Sequence, residues 1–327
     1  MTDTLFSRRS WLKTSSAFAA AEWAGVAVSP AANAPAQTPP LTPEEIAAIE
    51  SAMGRKGTYN EGQAVHTTPL PRNDLKVTIK GEAVPIPFGF GGWASVKKTV
   101  DGKSAVLMSD TVLLEEEVNP LISAAHENGL EIGAIHNHFF YEQPRIFYMH
   151  LHGMGTPEQL ARKFAETIRN ARISPANQPV VSAPPAVTAK ELFNLSELDA
   201  IVKYTGTVNG PAYKYTVGRD DLTVMAMGAE MTAAIGLNSW ASFAGTIDKA
   251  HIAGDIAMLE GEVNSVIKVL RGHGLEVVAL HNHMLGDSPR MIFLHYYGKG
   301  AATTLAQGFR AALDVLGKPV NPAHKNH

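Results

Sequence analysis

Cysteine is absent from the 327 residues, and that absence excludes disulfides, thiolate metal sites and a cysteine nucleophile together. Any bound metal must be held by nitrogen and oxygen. Positive charge is not in excess either: 28 Lys and Arg stand against 31 Asp and Glu, giving a formal charge of -3 and a pI near 6.5. Nucleic acid and anionic membrane surfaces are therefore excluded as partners on electrostatic grounds. Long apolar runs are missing as well. The alanine-rich stretch near the amino terminus is interrupted by Glu22 and is too short for a bilayer core of roughly 30 Å, and no other segment could cross one. What the chain does have is length and 45% hydrophobic residues, enough for a substantial core and about two domains.

The chain is also repeated. From Glu115 to Gly155 and again from Glu260 to Gly300 it reads Glu-x-Glu-Val-Asn, Gly-Leu-Glu, His-Asn-His, Pro-Arg, His and Gly-x-Gly, with seventeen of forty-one positions identical at a constant offset of 145. The histidines persist while apolar positions drift, as Ile135 does to Leu280. Cores tolerate such swaps, so retained polar residues point to chemistry.

Local patterns predict the elements. Thr42-Pro43-Glu44-Glu45 is a capping box opening a helix that ends by Gly54, and Thr156-Pro157-Glu158-Gln159 is a second one. Strands are expected at Leu75–Ile79, Gly91–Val96, Ala105–Met108, Glu131–Phe139 and Arg145–Leu151. A helix through Val118, Leu121, Ile122 and Ala125 is expected to start with Asn119 as cap and Pro120 in its first turn, and to close at Gly129. The predicted fold class is α+β: two duplicated repeats, each with an antiparallel sheet and flanking helices, packed with pseudo-twofold symmetry. The predicted divisions are a signal segment at 1–36, repeat 1 at 37–172, a Pro/Ala-rich linker at 173–190, repeat 2 at 191–318 and a tail at 319–327.

In a strand, His136 and His138 project to one side while Asn137 points to the other. If a tight turn at Tyr141–Pro144 joins even-register neighbours, residues summing to 288 face each other, which pairs His138 with His150 and His136 with His152. Each repeat then carries its own three-histidine site: His136, His138 and His150 in the first, His281, His283 and His295 in the second. Tyr297 replaces His152 there, and His152 is a potential fourth ligand. Three imidazoles suit a divalent metal, zinc first, with copper, iron or manganese as alternatives, and leave a position open for water. Met149, Met154 and Met284 keep copper in view. The metal-free alternative is a pocket in which imidazoles serve as acids, bases or donors.

Other repeated residues have two readings each. Glu117 and Glu262 are candidate catalytic bases or helix caps. Arg145 and Arg290 are candidate anion clamps or bridges between the halves, and Asp110 and Asp255 could orient an imidazole. The Gly153-x-Gly155 and Gly298-x-Gly300 pairs suit a tight strand-to-helix turn. His66, His126 and His273 have no partner in the other repeat and are expected at the surface.

These repeated Glu-Val-Asn, His-Asn-His, Pro-Arg and His-x-x-Gly-x-Gly elements resemble the LppY/LpqO family, exported bacterial domains of unknown function named after mycobacterial lipoproteins. The resemblance implies export but supplies no activity. With no cysteine to acylate, it implies a soluble protein. Ser7, Arg8, Arg9, Ser10, Trp11, Leu12 and Lys13 also resemble a twin-arginine export signal, followed by the cleavage-site pattern Ala34-Pro35-Ala36. The expected location is the periplasm or beyond, with a metal or small acidic molecule as partner. Metal-dependent turnover, for instance hydrolysis, and capture of a ligand without turnover both remain as functional readings.

Overall fold

Thr42 opens the first helix as its capping box requires: its hydroxyl accepts from the Glu45 amide at 3.2 Å, and the Glu45 carboxylate accepts from the Thr42 amide at 2.7 Å. In the computed structural model, residues 38–170 and 187–318 are described. The expected signal segment, residues 173–186 of the linker and the tail lie outside them.

Repeat 1 contains helix α1 (Pro43–Met53) and strands β1 (Thr58–Asn60), β2 (Val65–Pro71), β3 (Val77–Ile79), β4 (Glu82–Val84), β5 (Gly91–Lys98) and β6 (Ala105–Leu114). Helix α2 (Glu115–Glu127), strands β7 (Glu131–His136), β8 (Glu142–Gln143) and β9 (Ile146–Gly155), and helix α3 (Pro157–Asn170) complete it. Repeat 2 begins with α4 (Ala189–Leu192), capped by Thr188, so the last linker residues are already helical. It continues with α5 (Leu195–Val202), β10 (Thr207–Asn209), β11 (Ala212–Gly218), β12 (Val224–Ala226), β13 (Ala229–Met231), β14 (Asn238–Gly245) and β15 (Ala250–Leu259). Then come α6 (Val263–Gly272), β16 (Glu276–His281), β17 (Met291–Gly300) and α7 (Ala302–Leu313).

The fold is α+β, and the duplication is complete. Each repeat builds one six-stranded antiparallel sheet, ordered β1-β2-β5-β6-β9-β7 in the first and β10-β11-β14-β15-β17-β16 in the second. Period-two alternation sorts each strand between two different cores. On β9, Met149 and Leu151 face the helices of repeat 1, where they join Leu121, Leu160 and Phe164. Ile146 and Tyr148 face the other way, into a cluster that also contains Ala253 and Tyr297 of repeat 2. A second shared cluster joins Val65, Val106 and Met108 to Met231, Met291 and Phe293. Each half thus has a private core under its helices and a shared core between the sheets. Each such fully buried side chain contributes roughly 1.5–3 kcal/mol relative to exposure, so the shared clusters hold the halves together.

Strands β5, β6 and β9 run further than expected, to Lys98, Leu114 and Gly155, and β3 starts later, at Val77; two other differences bear on the site. Helix α2 starts at Glu115 rather than after Asn119, because the Glu117 carboxylate accepts from the Leu114 amide at 2.7 Å and three glutamates complement the dipole in the first turn. Pro120 therefore lies inside the helix and forfeits one backbone bond. Strand β7 stops at His136 rather than Phe139, and nine residues, 137–145, separate it from β9 instead of a tight turn. Within that loop Glu142 and Gln143 pair with β3. Gly129 closes α2 at φ 66°, as expected.

Candidate metal centre

The connection over residues 137–145 sets the register that positions the histidines, and a bulge shifts the far end of the ladder by one residue. Glu131 pairs with His152 and Ile132 with Leu151, but after Gly133 the pairs become Ala134 with His150 and His136 with Tyr148. The expected pairing of His138 with His150 and His136 with His152 is therefore corrected. His136 and His150 are diagonal neighbours, and His138 lies in the loop beyond the strand. His152 sits at the far end of the ladder, its Nε2 3.1 Å from Glu131, and is no fourth ligand. Tyr297, its counterpart, donates its hydroxyl hydrogen bond to, or accepts one from, His251 Nδ1 at 2.8 Å.

The two expected three-histidine groups converge on one place. His136, His138, His150, His281, His283 and His295 gather between the sheets, five of them buried and His281 partly so. The ring distances obey the twofold relation: His136 to His150 and His281 to His295 are both 4.9 Å, and His136 to His138 and His281 to His283 are 5.2 and 5.3 Å. Across the axis His138 lies 3.7 Å from His295, and His150 lies 4.2 Å from His283.

Backbone carbonyls fix the rings. Nδ1 of His150 donates to Ser109 O at 3.0 Å, and Nδ1 of His283, His281 and His295 donate to Gly236 O, Asn282 O and Gly254 O at 3.1 Å each. A proton held at Nδ1 leaves the Nε2 lone pair for a metal. Nε2 of His150, His281 and His295, and both nitrogens of His136 and His138, are buried with no hydrogen-bond partner among the described residues. Unpaired buried polar atoms are costly and require an explanation. In two trios, His136 with His281 and His295, and His150 with His281 and His283, one nitrogen per residue lies within 4.8 Å of the others. Nitrogens about 2.0–2.1 Å from a tetrahedral ion lie on the order of 3.3 Å apart, so a small inward movement completes either trio.

Burial pushes the imidazole pKa values of His136, His138, His150 and His283 well below the ordinary range, reinforced by repulsion among neighbouring rings. His295 is pushed down to about 3 and His281 moves the same way. All six are neutral at neutral pH, as ligation demands. Asp255 Oδ2 lies 3.2 Å from His283 Nε2 and 3.9 Å from His295 Nε2, and Asp110 Oδ1 is 4.0 Å from His150 Nδ1. Burial and the proximity of Asp255 raise the Asp110 pKa well above the carboxylate range.

The glutamates and arginines are elsewhere employed. Glu117 binds the buried Arg72 guanidinium at 2.7 and 3.2 Å, and Glu262 binds Arg219 at 2.8 and 3.1 Å. Glu262 also accepts from the Leu259 amide, as Glu117 does from Leu114. Both carboxylates are engaged as caps and ion pairs, which removes them as bases. Arg145 and Arg290 have side chains 46% and 56% exposed, and lie 3.8 and 3.4 Å from Glu142 and Asp287 of their own loops. Neither reaches the histidines as an anion clamp, and neither bridges the halves. His66, expected at the surface, is buried beside Glu50 at 3.6 Å.

A cavity of about 230 Å³ adjoins the cluster, bounded by His283, His295, both aspartates, Trp93, Trp240 and Lys214 among others. The tryptophans were missed in sequence because Trp93-Ala94-Ser95 recurs as Trp240-Ala241-Ser242 at an offset of 147, outside the gapless block. Arg72-x-Asp74 and Arg219-x-Asp221 share that offset, and a search allowing a two-residue gap would find both pairs.

The profile of a family described as Domain of Unknown Function (DUF1259) matches residues 47–170 and 196–315, one copy in each repeat. None of the curated proteins matches. A crystal structure of a trimeric bacterial microcompartment shell protein, PduB, is 11% identical with a TM-score of 0.20, covering 79% of this chain and 89% of that one. EtuB from Clostridium kluyveri is 9% identical with a TM-score of 0.19 over the same shares. Likenesses this faint carry no argument about fold or function.

Proposed function

The chain belongs to that family as a tandem pair, and we propose that it binds one divalent metal ion in the histidine cluster between its repeats. The observation that carries this reading is the trio His136, His281 and His295, drawn from both repeats with nitrogens within 4.8 Å of one another, in which both nitrogens of His136 and Nε2 of His281 and His295 are buried with no hydrogen-bond partner among the described residues. His281 belongs to both trios. With Nδ1 held by Asn282 it offers a single nitrogen, so the trios cannot fill together and the expected stoichiometry is one ion per chain.

Neutral imidazoles favour zinc, with iron, manganese or copper as alternatives. Thioether help for copper has little support: Met149 packs under the helices, Met284 lies in a shared apolar cluster and Met154 is exposed. A three-histidine ion keeps a position for water or a ligand, and it would lower the pKa of that water to about 7. If turnover occurs there, Asp255 is the candidate base within reach, and Asp110, which burial drives towards its neutral form, is a candidate proton donor. The amino-terminal motif and the LppY/LpqO resemblance support a location outside the cytoplasm.

Elemental analysis of the untagged protein tests the reading. About one equivalent of a single metal, lost in His281→Ala and kept in His152→Ala, is expected. Absence of metal after reconstitution with zinc, iron, manganese and copper salts in turn would overturn it.

A further inference from the structure

The cavity beside the histidines is lined by residues at which the repeats differ, and one of these differences adds a charge. On β2 the residue opposite Ser95 is Thr67, whereas on β11 the residue opposite Ser242 is Lys214. Both side chains line this same cavity. The Lys214 ammonium lies 4.5 Å from the centre of the Trp240 indole. It makes no hydrogen bond or ion pair among the described residues; burial lowers its pKa, and Asp110 and Asp255 oppose that through space. A compact, strongly hydrated ammonium held in a half-open cavity with no hydrogen-bonding partner there suits an anionic ligand.

The walls narrow the choice. Trp93 forms a second flat apolar surface, seated on Gly236 so closely that a Cβ there would lie 3.0 Å from the indole. The two indoles suit a flat or apolar body. The space equals on the order of seven or eight waters at about 30 Å³ each, which admits only a small metabolite. Asp255 and Asp110 share the cavity with the single ammonium, Asp110 driven towards its neutral form, so a second negative charge on the ligand would face Asp255 with no further cation among the described lining residues.

We propose that this cavity binds a small monocarboxylic acid, its carboxylate on Lys214 Nζ, its body between Trp93 and Trp240, and its far end towards His283 and His295. The assignment of that far end to a metal rests on the reading above; the recognition by Lys214 and the indoles does not. Lys214 thereby takes the anion-binding part that sequence spacing suggested for Arg145 and Arg290.

The test is titration of the untagged full chain, of known metal content, with sodium pyruvate, glycolate and benzoate, followed by tryptophan fluorescence and calorimetry, with inorganic phosphate and acetamide as contrasts. Saturable binding of at least one monocarboxylate with Kd below about 1 mM is expected, weakened tenfold or more in Lys214→Met. That variant keeps the stem over Trp240, and an unchanged melting temperature and metal content certify its fold. Failure of all three acids to saturate metal-loaded protein by about 10 mM, or equal binding by the variant, overturns the inference and leaves the metal reading standing. Lys214-dependent binding by protein that takes up no metal sinks the metal reading alone.

Discussion

His136 and His281 hold the same place in the two repeats and stack on each other across the pseudo-twofold axis, ring centroids 3.7 Å apart and planes 14° from parallel. The proposed centre is accordingly single and composite, each trio taking one histidine from repeat 1 and two from repeat 2. Two independent centres would each survive loss of the other, so His136→Ala or His281→Ala would halve the bound metal. One composite centre predicts that His281→Ala, which removes the residue common to both trios, lowers metal content from about one equivalent towards zero. Elemental analysis of the purified variant decides, and a clean halving would restore two sites.

Acid should weaken the fold before it weakens most proteins of this size. The folded-state pKa of His295 is pushed down to about 3, and burial moves the other five cluster histidines in the same direction. Unfolded histidine titrates near 6.5, so between these values the unfolded chain binds more protons than the folded one. Stability is therefore full above about pH 6.5 and declines as pH falls towards the folded values. Melts of metal-free protein at intervals from pH 8 to 5 should show a level midpoint down to about 6.5 and then a fall. A midpoint that holds or rises at pH 5 would show the rings to be charged or solvated.

Much of this was legible in the sequence, but not evenly. The capping boxes at Thr42 and Thr156 and the left-handed Gly129 are local chemistry, and they appear where the spacing put them. The six histidines were legible because the repeat retained them. What the spacing could not give was register: the connection over residues 137–145 pairs His136 with Tyr148 instead of His152, and the bulge at Gly133 then sets His152 opposite Glu131, out of the cluster. Nor could the pattern of one strand reveal what covers its second face. The cross-repeat trios, Lys214 and the paired tryptophans depend on a surface contributed by the other repeat, roughly a hundred or more residues away in the chain.

The Arg72–Glu117 pair separates a structural carboxylate from a catalytic one. Arg72 is buried, and Glu117, only 15% exposed, supplies both oxygens to it. Removing one partner of a buried pair strands the other charge, at a cost of 3–5 kcal/mol for a fully buried pair. Here Asp74 stays on the guanidinium at 2.9 Å, so Glu117→Ala should cost about 3 kcal/mol by that scale. The expected pattern is a lower melting temperature with metal content unchanged. Metal loss at an unchanged melting temperature would return Glu117 to the metal.

Gly236 and Gly89 end equivalent turns, yet their tolerance should differ. Gly236 has φ +100°, and a Cβ on it would come within 3.0 Å of Trp93. Gly89 has an extended φ of 176°, and its Cβ would meet Phe139 at 3.3 Å. Gly236→Ala therefore adds backbone strain of about 1–3 kcal/mol to a steric displacement of the indole, while Gly89→Ala adds only the contact. Chemical denaturation should rank Gly236→Ala as clearly the less stable, with an altered tryptophan emission. Equal losses would mean that the contact, not the backbone, governs both.

Tyr148 and Phe293 account for the asymmetry between His138 and His283. The Tyr148 hydroxyl donates to Gly89 O at 2.7 Å. In repeat 2 the equivalent Phe293 has no hydroxyl, and the equivalent carbonyl, Gly236 O, accepts instead from His283 Nδ1 at 3.1 Å. His138, stacked on Tyr148 with centroids 3.3 Å apart, is left with neither nitrogen bonded. Tyr148→Phe should free Gly89 O for His138 and make repeat 1 resemble repeat 2. The exchange replaces one hydrogen bond by another, so the stability change should stay within about 1 kcal/mol. Nitrogen-15 spectra of histidine-labelled protein should then show His138 gaining a fixed Nδ1–H tautomer. A loss above about 2 kcal/mol with His138 unchanged would show that the Gly89 carbonyl stays orphaned.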